Sequence, residues 1–398
     1  MFKNTYLAAG SWWSTPFSRW QGSFANQHSM KLAAQVAESV LAKHSIPGEA
    51  IDSLVLGLSV PQRSSFYGAP WMAGMLGLKG VTGPTVAQAC ATSVRMIAGA
   101  AAEVELGARK SVLAIACDRT SNGPHVYYPN PDGPGGQGTS ENPVMDNFNR
   151  DPHARGAMIA TAENVASAEG ISREAQEALT LIRHEQYQEA LANDRAFQRQ
   201  YMEPVIVGQG KRAQTVEADE GVFSTTAEGL AGLRPVVEGG TVTFGCQTHP
   251  ADANAGLIIC SRPTADELSA HDNVSIQILS YGEARVAEGL MPMAVVPAAM
   301  NALERADITM NDVDVIKTHN PFAVNDIYFS RMTGIRVENF NNFGSPLIYG
   351  HPQGPMGMRA IIELCSELKI RGGGIGLFTG CAAGDSAMAL LLRVTDRN

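Results

Sequence analysis

The sequence predicts an α/β protein made of two related halves, with a segment of different composition inserted between them. Three observations support this class. Short apolar runs of the buried-strand type alternate with helical stretches. Two strand-and-helix patterns occur twice along the chain at nearly constant separation. At 398 residues, the chain also exceeds one ordinary hydrophobic core, so two or three domains, or one fused pair, are expected.

The repeated patterns are a helix end, a turn and a buried strand. Residues 46–55 and 308–317 share the first pattern, and residues 110–117 and 374–381 share the second. The separations are 262 residues (46 against 308) and 264 residues (117 against 381). An α/β chain without duplication can also contain similar patterns at two places, but the near-constant separation favours duplicated halves. The helices predicted before these strands span 30–43, 90–107, 293–305 and 354–368.

The inserted segment begins with a Gly-rich loop at 133–138, and a charged, Gln-rich helical stretch follows from 172 to 200. We therefore expect an N-terminal half at 1–120, completed by a strand at about 240–262. A covering loop domain at 121–239 and a C-terminal half at 263–398 complete the prediction.

Composition argues against several classes of protein. Thirty Lys and Arg against 39 Asp and Glu give a net charge of -9, which offers no polybasic surface for nucleic acid. No run approaches the ~20 apolar residues of a membrane span, and no signal-type core is present. The six cysteines form no CxxC pair, so zinc-ribbon and redox motifs are disfavoured. We expect a cytoplasmic protein with free thiols.

Cys90 is the first candidate functional residue. A β-branched run at 83–86 leads into a small-residue helix predicted to start at or near it. A helix N-terminus favours negative charge, so it lowers a thiol pKa and favours the nucleophilic thiolate. A buried, inert cysteine is the alternative and, for Cys90 alone, the more frequent case.

Three further segments each follow a predicted strand, where α/β folds place their ligand loops. They are His-Asn-Pro-Phe from His319, Tyr-Gly-His-Pro-Gln-Gly around His351, and Gly-Cys-Ala-Ala-Gly around Cys381. A lone histidine or cysteine is more often structural, but the combination with Cys90 favours a catalytic site.

Together these four segments resemble the thiolase superfamily, and the resemblance spans nearly the whole chain. Residues 14–22 resemble the N-terminal Arg-Thr-Pro-Phe-Gly stretch of that family, and residues 158–177 resemble its loop-domain signature. Residues 240–243 resemble the strand before its pantetheine-contacting turn. The resemblance implies a thiolase fold, with two βαβαβ-type halves in a five-layer α-β-α-β-α core and an inserted loop domain.

The resemblance also implies roles for individual residues. Cys90 would take the acyl group as a thioester, and His351 would accept the thiol proton. Cys381 would move the proton on the α-carbon. One oxyanion site would use His351 and His319, and the other the backbone N–H groups of Cys90 and Ala383.

Several positions depart from the family pattern. Many thiolases carry Asn-Glu-Ala-Phe and others His-Asp-Cys-Phe where this chain has His319-Asn320-Pro321-Phe322. His319 could therefore donate directly to an oxyanion, whereas Asn320 weakens any inherited orientation of the neighbouring histidine. Ala383 replaces an expected glycine.

The resemblance implies acyl-CoA and CoA as substrates, with no bound cofactor and no metal. CoA contacts are expected from Met158, Lys211, Arg212 and Thr248. Because the departures cluster around the acyl pocket, an aromatic or branched 3-oxoacyl-CoA, such as a benzoylsuccinyl-CoA-like compound, is one option. Aromatic residues expected near the pocket rim, with core packing or a dimer interface as the alternative, are Trp12, Trp13, Trp20, Phe66, Tyr67, Trp71, Tyr127 and Tyr128.

The predicted function is thiolytic cleavage of a 3-oxoacyl-CoA to acetyl-CoA, or another acyl-CoA, and a shortened acyl-CoA through a Cys90 acyl-enzyme. A biosynthetic, condensing acyltransferase would use the same residues. From another class, a non-catalytic thiolase-like subunit of a complex is the alternative. The family implies a homodimer or dimer of dimers, and it leaves open a small accessory subunit of the OB-fold or zinc-ribbon type.

Overall fold

The structure is a computed structural model that describes residues 2–396, so the predicted end points at 1 and 398 lie outside the described residues. Up to the end of the first repeat, the elements are β1 (Thr5–Leu7), β2 (Trp13–Ser14), β3 (Ser18–Arg19), α1 (Ser29–Lys43), β4 (Ser53–Gly57), α2 (Ala69–Met75), β5 (Thr85–Val86), α3 (Thr92–Glu105) and β6 (Ser111–Arg119). The middle of the chain forms β7 (Val126–Tyr128), β8 (Thr139–Glu141), α4 (Met145–Asn149), α5 (Met158–Glu169), α6 (Arg173–Arg195), β9 (Val205–Val207), β10 (Gln214–Val216) and α7 (Ala227–Ala231).

The rest of the chain returns to long strands. Its elements are β11 (Ala251–Ser261), α8 (Arg262–Leu268), β12 (Val274–Arg285), α9 (Val295–Ala306), β13 (Val315–His319), α10 (Ala323–Thr333), α11 (Pro346–Tyr349), α12 (Gly354–Ile370), β14 (Gly373–Ala382) and β15 (Ser386–Asp396).

The sheet order shows the duplication directly. Nine strands run in the order β13-β14-β15-β12-β1-β11-β6-β4-β5, and β2 and β3 pair with β11. In the N-terminal half, β4 pairs with β6 in parallel, and β6-β11 and β11-β1 are antiparallel pairs. The C-terminal half repeats this pattern, with β13-β14 parallel and β14-β15 and β15-β12 antiparallel. The halves meet where β1 pairs with β12. β13 begins 262 residues after β4 (315 against 53), and α12 begins 262 residues after α3 (354 against 92).

Five layers follow from the helix contacts. α1 and α2 cover the outer face of the first sheet half, and α9 covers the outer face of the second. The equivalent helices α3 and α12 contact each other and lie between the halves, since each packs on strands of both. The middle layer therefore consists of helices with little exposed surface, which explains why the helical sequences there are rich in small and apolar residues.

The topology brings the ends of particular strands and helices together. The C-terminal ends of the parallel strands β13 and β14 are adjacent, with His319 opposite Gly380. The N-terminal ends of α3 and α12 are joined by the Ser93 hydroxyl, which donates to the carbonyl of Gly354. The Cys90 and His351 segments thus meet at the starts of α3 and α12, and the His319 and Cys381 segments meet at the ends of β13 and β14.

The segment between β6 and β11 packs on the C-terminal half through a buried ionic cluster. The Arg359 guanidinium on α12 donates to both carboxylate oxygens of Asp219, at 2.6 and 2.8 Å, and to Glu363 at 2.9 Å. The Tyr349 ring stacks on Arg359, with the guanidinium carbon 3.9 Å from the ring centroid. Asp219 thus attaches this segment to the helix that follows His351. The predicted boundaries at 121–239 stay a prediction.

Within residues 2–396, no helix is both long enough and apolar enough to cross a bilayer.

Replacing Arg359 with methionine should reduce the free energy of unfolding by about 3–5 kcal/mol, because it leaves the buried carboxylate of Asp219 without its cation and Glu363 with Lys317 alone. Arg336→Met is the matched control, since Arg336 pairs with Glu338 at the surface and its loss should cost less than about 1 kcal/mol. Urea denaturation of both variants measures the difference. Equal losses would contradict this role for the buried cluster.

Candidate active site

Cys90 lies in a tight turn just before helix α3. The preceding residue, Ala89, has a positive φ of 44°, and the helix begins two residues beyond the cysteine, at Thr92. The Thr92 hydroxyl accepts the N–H of Gln88 at 2.8 Å and donates to the carbonyl of Ala89 at 2.7 Å. These bonds close the turn and fix the direction of the Cys90 side chain.

His351 lies in the loop between α11 and α12. Its N–H donates to the carbonyl of His249 at 2.8 Å, and its own carbonyl accepts the N–H of Ala251 at 3.2 Å. Its Nε2 lies 3.0 Å from Sγ of Cys90. A base from the C-terminal half is therefore in hydrogen-bond contact with a thiol from the N-terminal half.

His319 and Cys381 occupy the adjacent ends of β13 and β14. The His319 ring centroid is 4.4 Å from that of His351, and the nearest polar atoms of Cys90, His319 and His351 all lie within 4.8 Å of one another. Asn325 on α10 donates through Nδ2 to Sγ of Cys381 at 3.3 Å. Cys90, His319 and His351 thus form one buried cluster, and charge on Cys90 also acts on the nearby Cys381.

The backbone N–H groups of Cys90 and Ala383 favour the charged form of the Cys90 thiol, so both lower its pKa. Ala383 lies in the turn between β14 and β15, so this turn from the C-terminal half closes over the thiol. Two backbone N–H groups, one from each half, are therefore close enough to act on charge at the reactive sulfur.

The charge state of the pair differs from the thiolate expected at a helix mouth. Burial raises the pKa of the Cys90 thiol to about 12, although the two backbone donors oppose this shift. Burial also lowers the pKa of His351 to about 3 and holds the pKa of His319 well below its usual range. The direction of this shift is therefore opposite to the lowered thiol pKa expected at a helix N-terminus, and desolvation is its largest cause. Thiol and imidazole are both neutral near pH 7.

Gln353 is a neighbour of the nucleophile that sequence reasoning missed. It is buried at the start of α12 with a φ of 63°, and its Oε1 lies 3.6 Å from Sγ of Cys90. A non-glycine residue at positive φ is uncommon and is often found at functional sites. The only signal in the sequence is its place two residues after His351.

Asp118 is a second such residue, at the end of β6. Its carboxylate accepts hydrogen bonds from the Ser59 hydroxyl at 2.7 Å and from the N–H groups of Val60 and Gly354 at 2.8 and 2.9 Å. It therefore ties the first turn of α12 to the N-terminal half. Its buried, hydrogen-bonded position is not visible in the sequence.

Asn320 holds the loop that leads to His351. Its Nδ2 donates to the Ser345 hydroxyl at 3.0 Å, and its Oδ1 accepts the N–H of Leu347 at 3.1 Å. It makes no hydrogen bond with His319, whose two ring nitrogens have no partner among the described residues. Asn320 therefore contributes nothing to the orientation of the His319 ring through a hydrogen bond.

A cleft of about 540 Å³ lies beside the cluster. Its lining includes Phe223, Thr226, Phe244, Thr248 and His249, but not Cys90, Cys381 or His351. The link between cleft and cluster is the backbone, since the His249 carbonyl accepts the N–H of His351. The cleft therefore reaches the main chain beside the base.

Of the residues expected to contact CoA, only Thr248 lines this cleft. Met158 begins α5, and Lys211 and Arg212 are exposed in the turn between β9 and β10. None of the eight aromatic residues expected at the pocket rim lines it either; Trp12 and Trp13 are core residues, and Phe66 and Tyr67 are exposed. Burial and backbone placement, which residue type does not reveal, account for this difference.

Comparison with known proteins gives one consistent family. The family description "Thiolase, N-terminal domain" matches residues 11–263, and "Thiolase, C-terminal domain" matches residues 273–394. An acetyl-CoA acetyltransferase of Escherichia coli is 29% identical over 389 residues, covering 95% of this chain and 96% of that protein. The mitochondrial 3-ketoacyl-CoA thiolase of Homo sapiens is 27% identical over 391 residues, covering 96% of both chains.

Solved structures of acetyl-CoA acetyltransferase and 3-ketoacyl-CoA thiolase have the same fold as this chain. A crystal structure of the Bacillus anthracis acetyl-CoA acetyltransferase superposes with a TM-score of 0.91 at 26% identity, covering 99% of both chains. The human mitochondrial 3-ketoacyl-CoA thiolase in complex with CoA superposes with a TM-score of 0.89 at 25% identity, covering 99% of this chain and 98% of that one.

The neutral pair predicts the pH dependence of alkylation at Cys90. Because the thiol pKa is raised to about 12, the thiolate fraction should grow about tenfold per pH unit throughout the accessible range. Iodoacetamide labelling of Cys90, followed by peptide mass spectrometry, should therefore accelerate steadily from about pH 6 to about pH 9. A rate that is already constant below about pH 8 would show a resting thiolate and contradict the assignment.

Proposed function

The chain belongs to the thiolase family, and on that premise we propose that it is an acyltransferase that cleaves a 3-oxoacyl-CoA with CoA. The reaction passes through an acyl thioester on Cys90. The observation that carries this proposal is the 3.0 Å contact between Cys90 Sγ and His351 Nε2, with Cys381 and His319 beside it. A nucleophile in hydrogen-bond contact with a base is the arrangement that covalent acyl transfer requires.

In the first half-reaction, Sγ of Cys90 attacks the 3-oxo carbon while His351 takes the thiol proton. The neutral starting state suits this step, because the imidazole lone pair is free to accept and no charge is buried beforehand. The bond between the α-carbon and the 3-oxo carbon then breaks. Cys381 gives its proton to the α-carbon, which yields acetyl-CoA or another acyl-CoA and leaves the remaining acyl group on Cys90.

In the second half-reaction, a CoA thiol gives its proton to the Cys381 thiolate and attacks the acyl thioester. The shortened acyl-CoA leaves, and Cys90 regains a proton from His351. Both sulfurs and the imidazole return to their starting states. The hydrogen bond from Asn325 to Cys381 stabilises the thiolate that exists between the two half-reactions.

Two sets of fixed donors can stabilise the oxygen charges that develop. The backbone N–H groups of Cys90 and Ala383 lie at the nucleophile and suit the oxygen of the group bonded to it. His319 and His351 suit the thioester oxygen of the CoA-bound unit, since His319 is fully buried with both ring nitrogens unpartnered. The N–H group of a neutral imidazole that is already fixed at this place needs no reorganisation when the charge develops on the oxygen.

We place CoA in the cleft beside His249, because its volume of about 540 Å³ is within the range of ligand sites. Thr248 then contacts the pantetheine arm with its hydroxyl oxygen. Met158 as a further contact, and the exposed cations Lys211 and Arg212 as phosphate ligands, are part of this proposal and rest on the family resemblance. The related human thiolase solved with CoA supports a CoA site in this fold.

The acyl group is proposed only as that of a 3-oxoacyl-CoA. Phe223 and Phe244, both largely exposed, line the cleft assigned to CoA. The proposal of an aromatic or branched substrate of the benzoylsuccinyl-CoA type is therefore supported only by the departures from the family pattern. Condensation uses the same residues in reverse order, and a homodimer or dimer of dimers is proposed from the family resemblance.

The test is thiolysis of straight-chain, branched and aromatic 3-oxoacyl-CoAs by the whole protein, with the reverse condensation measured in parallel. At least one substrate should be cleaved, and Cys90→Ser should lower its kcat on the order of 10⁴-fold or more. Cys260→Ala is the control, because Cys260 is a buried strand residue outside the site. No turnover in either direction would support a non-catalytic subunit and overturn the proposal.

Substitution of His319 separates a direct oxyanion donor from a structural residue. His319→Ala should lower kcat by about 10²–10³-fold with little change in KM, since one donor to the developing charge is lost. His319→Asn keeps an N–H donor near that place and should recover part of the rate. If both variants lose activity equally while circular dichroism shows them folded, His319 does not act as the donor.

A further inference from the structure

We propose that Cys90, His319 and His351 form a binding site for a thiophilic divalent metal ion of the Zn²⁺ type. The ion would occupy the sulfur that the acyl group needs, so it would act as a reversible inhibitor and not as a cofactor. Binding itself is independent of the proposed function, whereas the inhibition rests on it.

The donor set is one that zinc prefers. One cysteine sulfur and two imidazole nitrogens are common zinc ligands, and three protein ligands with one open position are typical of non-structural sites. The three donor atoms lie within 4.8 Å of one another, and the Cys90–His351 pair lies at 3.0 Å. Tetrahedral zinc needs donors roughly 3.3–3.6 Å apart, so side-chain shifts of about 1 Å suffice.

The state of the two imidazoles is a second, independent observation. His319 is fully buried, yet neither of its ring nitrogens has a hydrogen-bond partner among residues 2–396, and Nδ1 of His351 also has none. Buried polar atoms without partners are rare, because they lose their hydrogen bonds to water without replacement. A metal ion would satisfy one nitrogen of each ring. Burial also lowers the pKa of both rings, which keeps their lone pairs available.

The proton balance is simple. The Sγ–H bond of Cys90 is replaced by an Sγ–metal bond, and one proton leaves for solvent. Asp118 lies close enough to act on charge at Cys90 and favours a cation there when it is ionised, since burial raises its own pKa to about 7. No oxidant or reductant is needed.

Co²⁺ is the probe, because a cobalt–thiolate bond gives a near-ultraviolet charge-transfer band that zinc lacks. The whole protein should bind one Co²⁺ per chain with this band, and Zn²⁺ should displace it. Cys90→Ser should abolish the band. His319→Ala and His319→Gln should each weaken binding by more than the roughly 10–100-fold that loss of an outer-shell partner causes.

Cys260→Ala is the matched control and should bind Co²⁺ as the wild type does, since Cys260 lies outside the cluster. Circular dichroism identifies variants that fail to fold. An absent band in the folded wild type, a band retained in Cys90→Ser, or unchanged affinity in both folded His319 variants would each overturn the site. These readouts need no enzymatic turnover. In an active preparation, Zn²⁺ should abolish thiolysis and a chelator should restore it.

Discussion

The chemistry of this protein depends on one contact between its two halves, the approach of Cys90 Sγ to His351 Nε2 at 3.0 Å. Cys90 precedes α3, and His351 precedes α12, the helix at the equivalent place in the repeat. Both helices lie in the middle layer, so duplication places their N-terminal ends next to each other. Ser93 and Asp118 then tie the start of α12 to the N-terminal half. The site exists only when both halves are folded and docked.

Burial decides how that contact works. Desolvation penalises the thiolate and the imidazolium alike, so the resting pair is neutral and proton transfer accompanies attack on the substrate. The fixed N–H groups of Cys90 and Ala383 and the unpartnered ring of His319 become useful when charge appears on a substrate oxygen. The same unpartnered ring makes the cluster a candidate metal site. The buried His319 ring, whose nitrogens have no partner among the described residues, thus underlies both the proposed oxyanion stabilisation and the proposed metal binding.

Much of this could be predicted from the sequence, because it depends on local pattern. The alternation of strands and helices, the duplication and the segments around Cys90, His319, His351 and Cys381 follow from periodicity and motif. The strand expected before His351 was wrong, because the short helix α11 stands there. The depth of burial does not follow from these patterns, so the direction of the Cys90 pKa shift was wrong in the sequence prediction. The contact of Gln353 with Cys90 and the role of Asp118 depend on docking between distant segments. For the same reason, residue type alone did not decide between a pocket rim and core packing for the aromatic residues, of which Trp12 and Trp13 lie in the core.

Mass spectrometry can detect the acyl thioester on Cys90 itself. The protein is mixed with a cleavable 3-oxoacyl-CoA in the absence of free CoA, quenched in acid and digested. The acyl group should appear on the peptide containing Cys90, in step with release of the first acyl-CoA product, and added CoA should remove it. An acyl group carried by another residue, or turnover that continues in Cys90→Ser, would contradict an acyl-enzyme on Cys90.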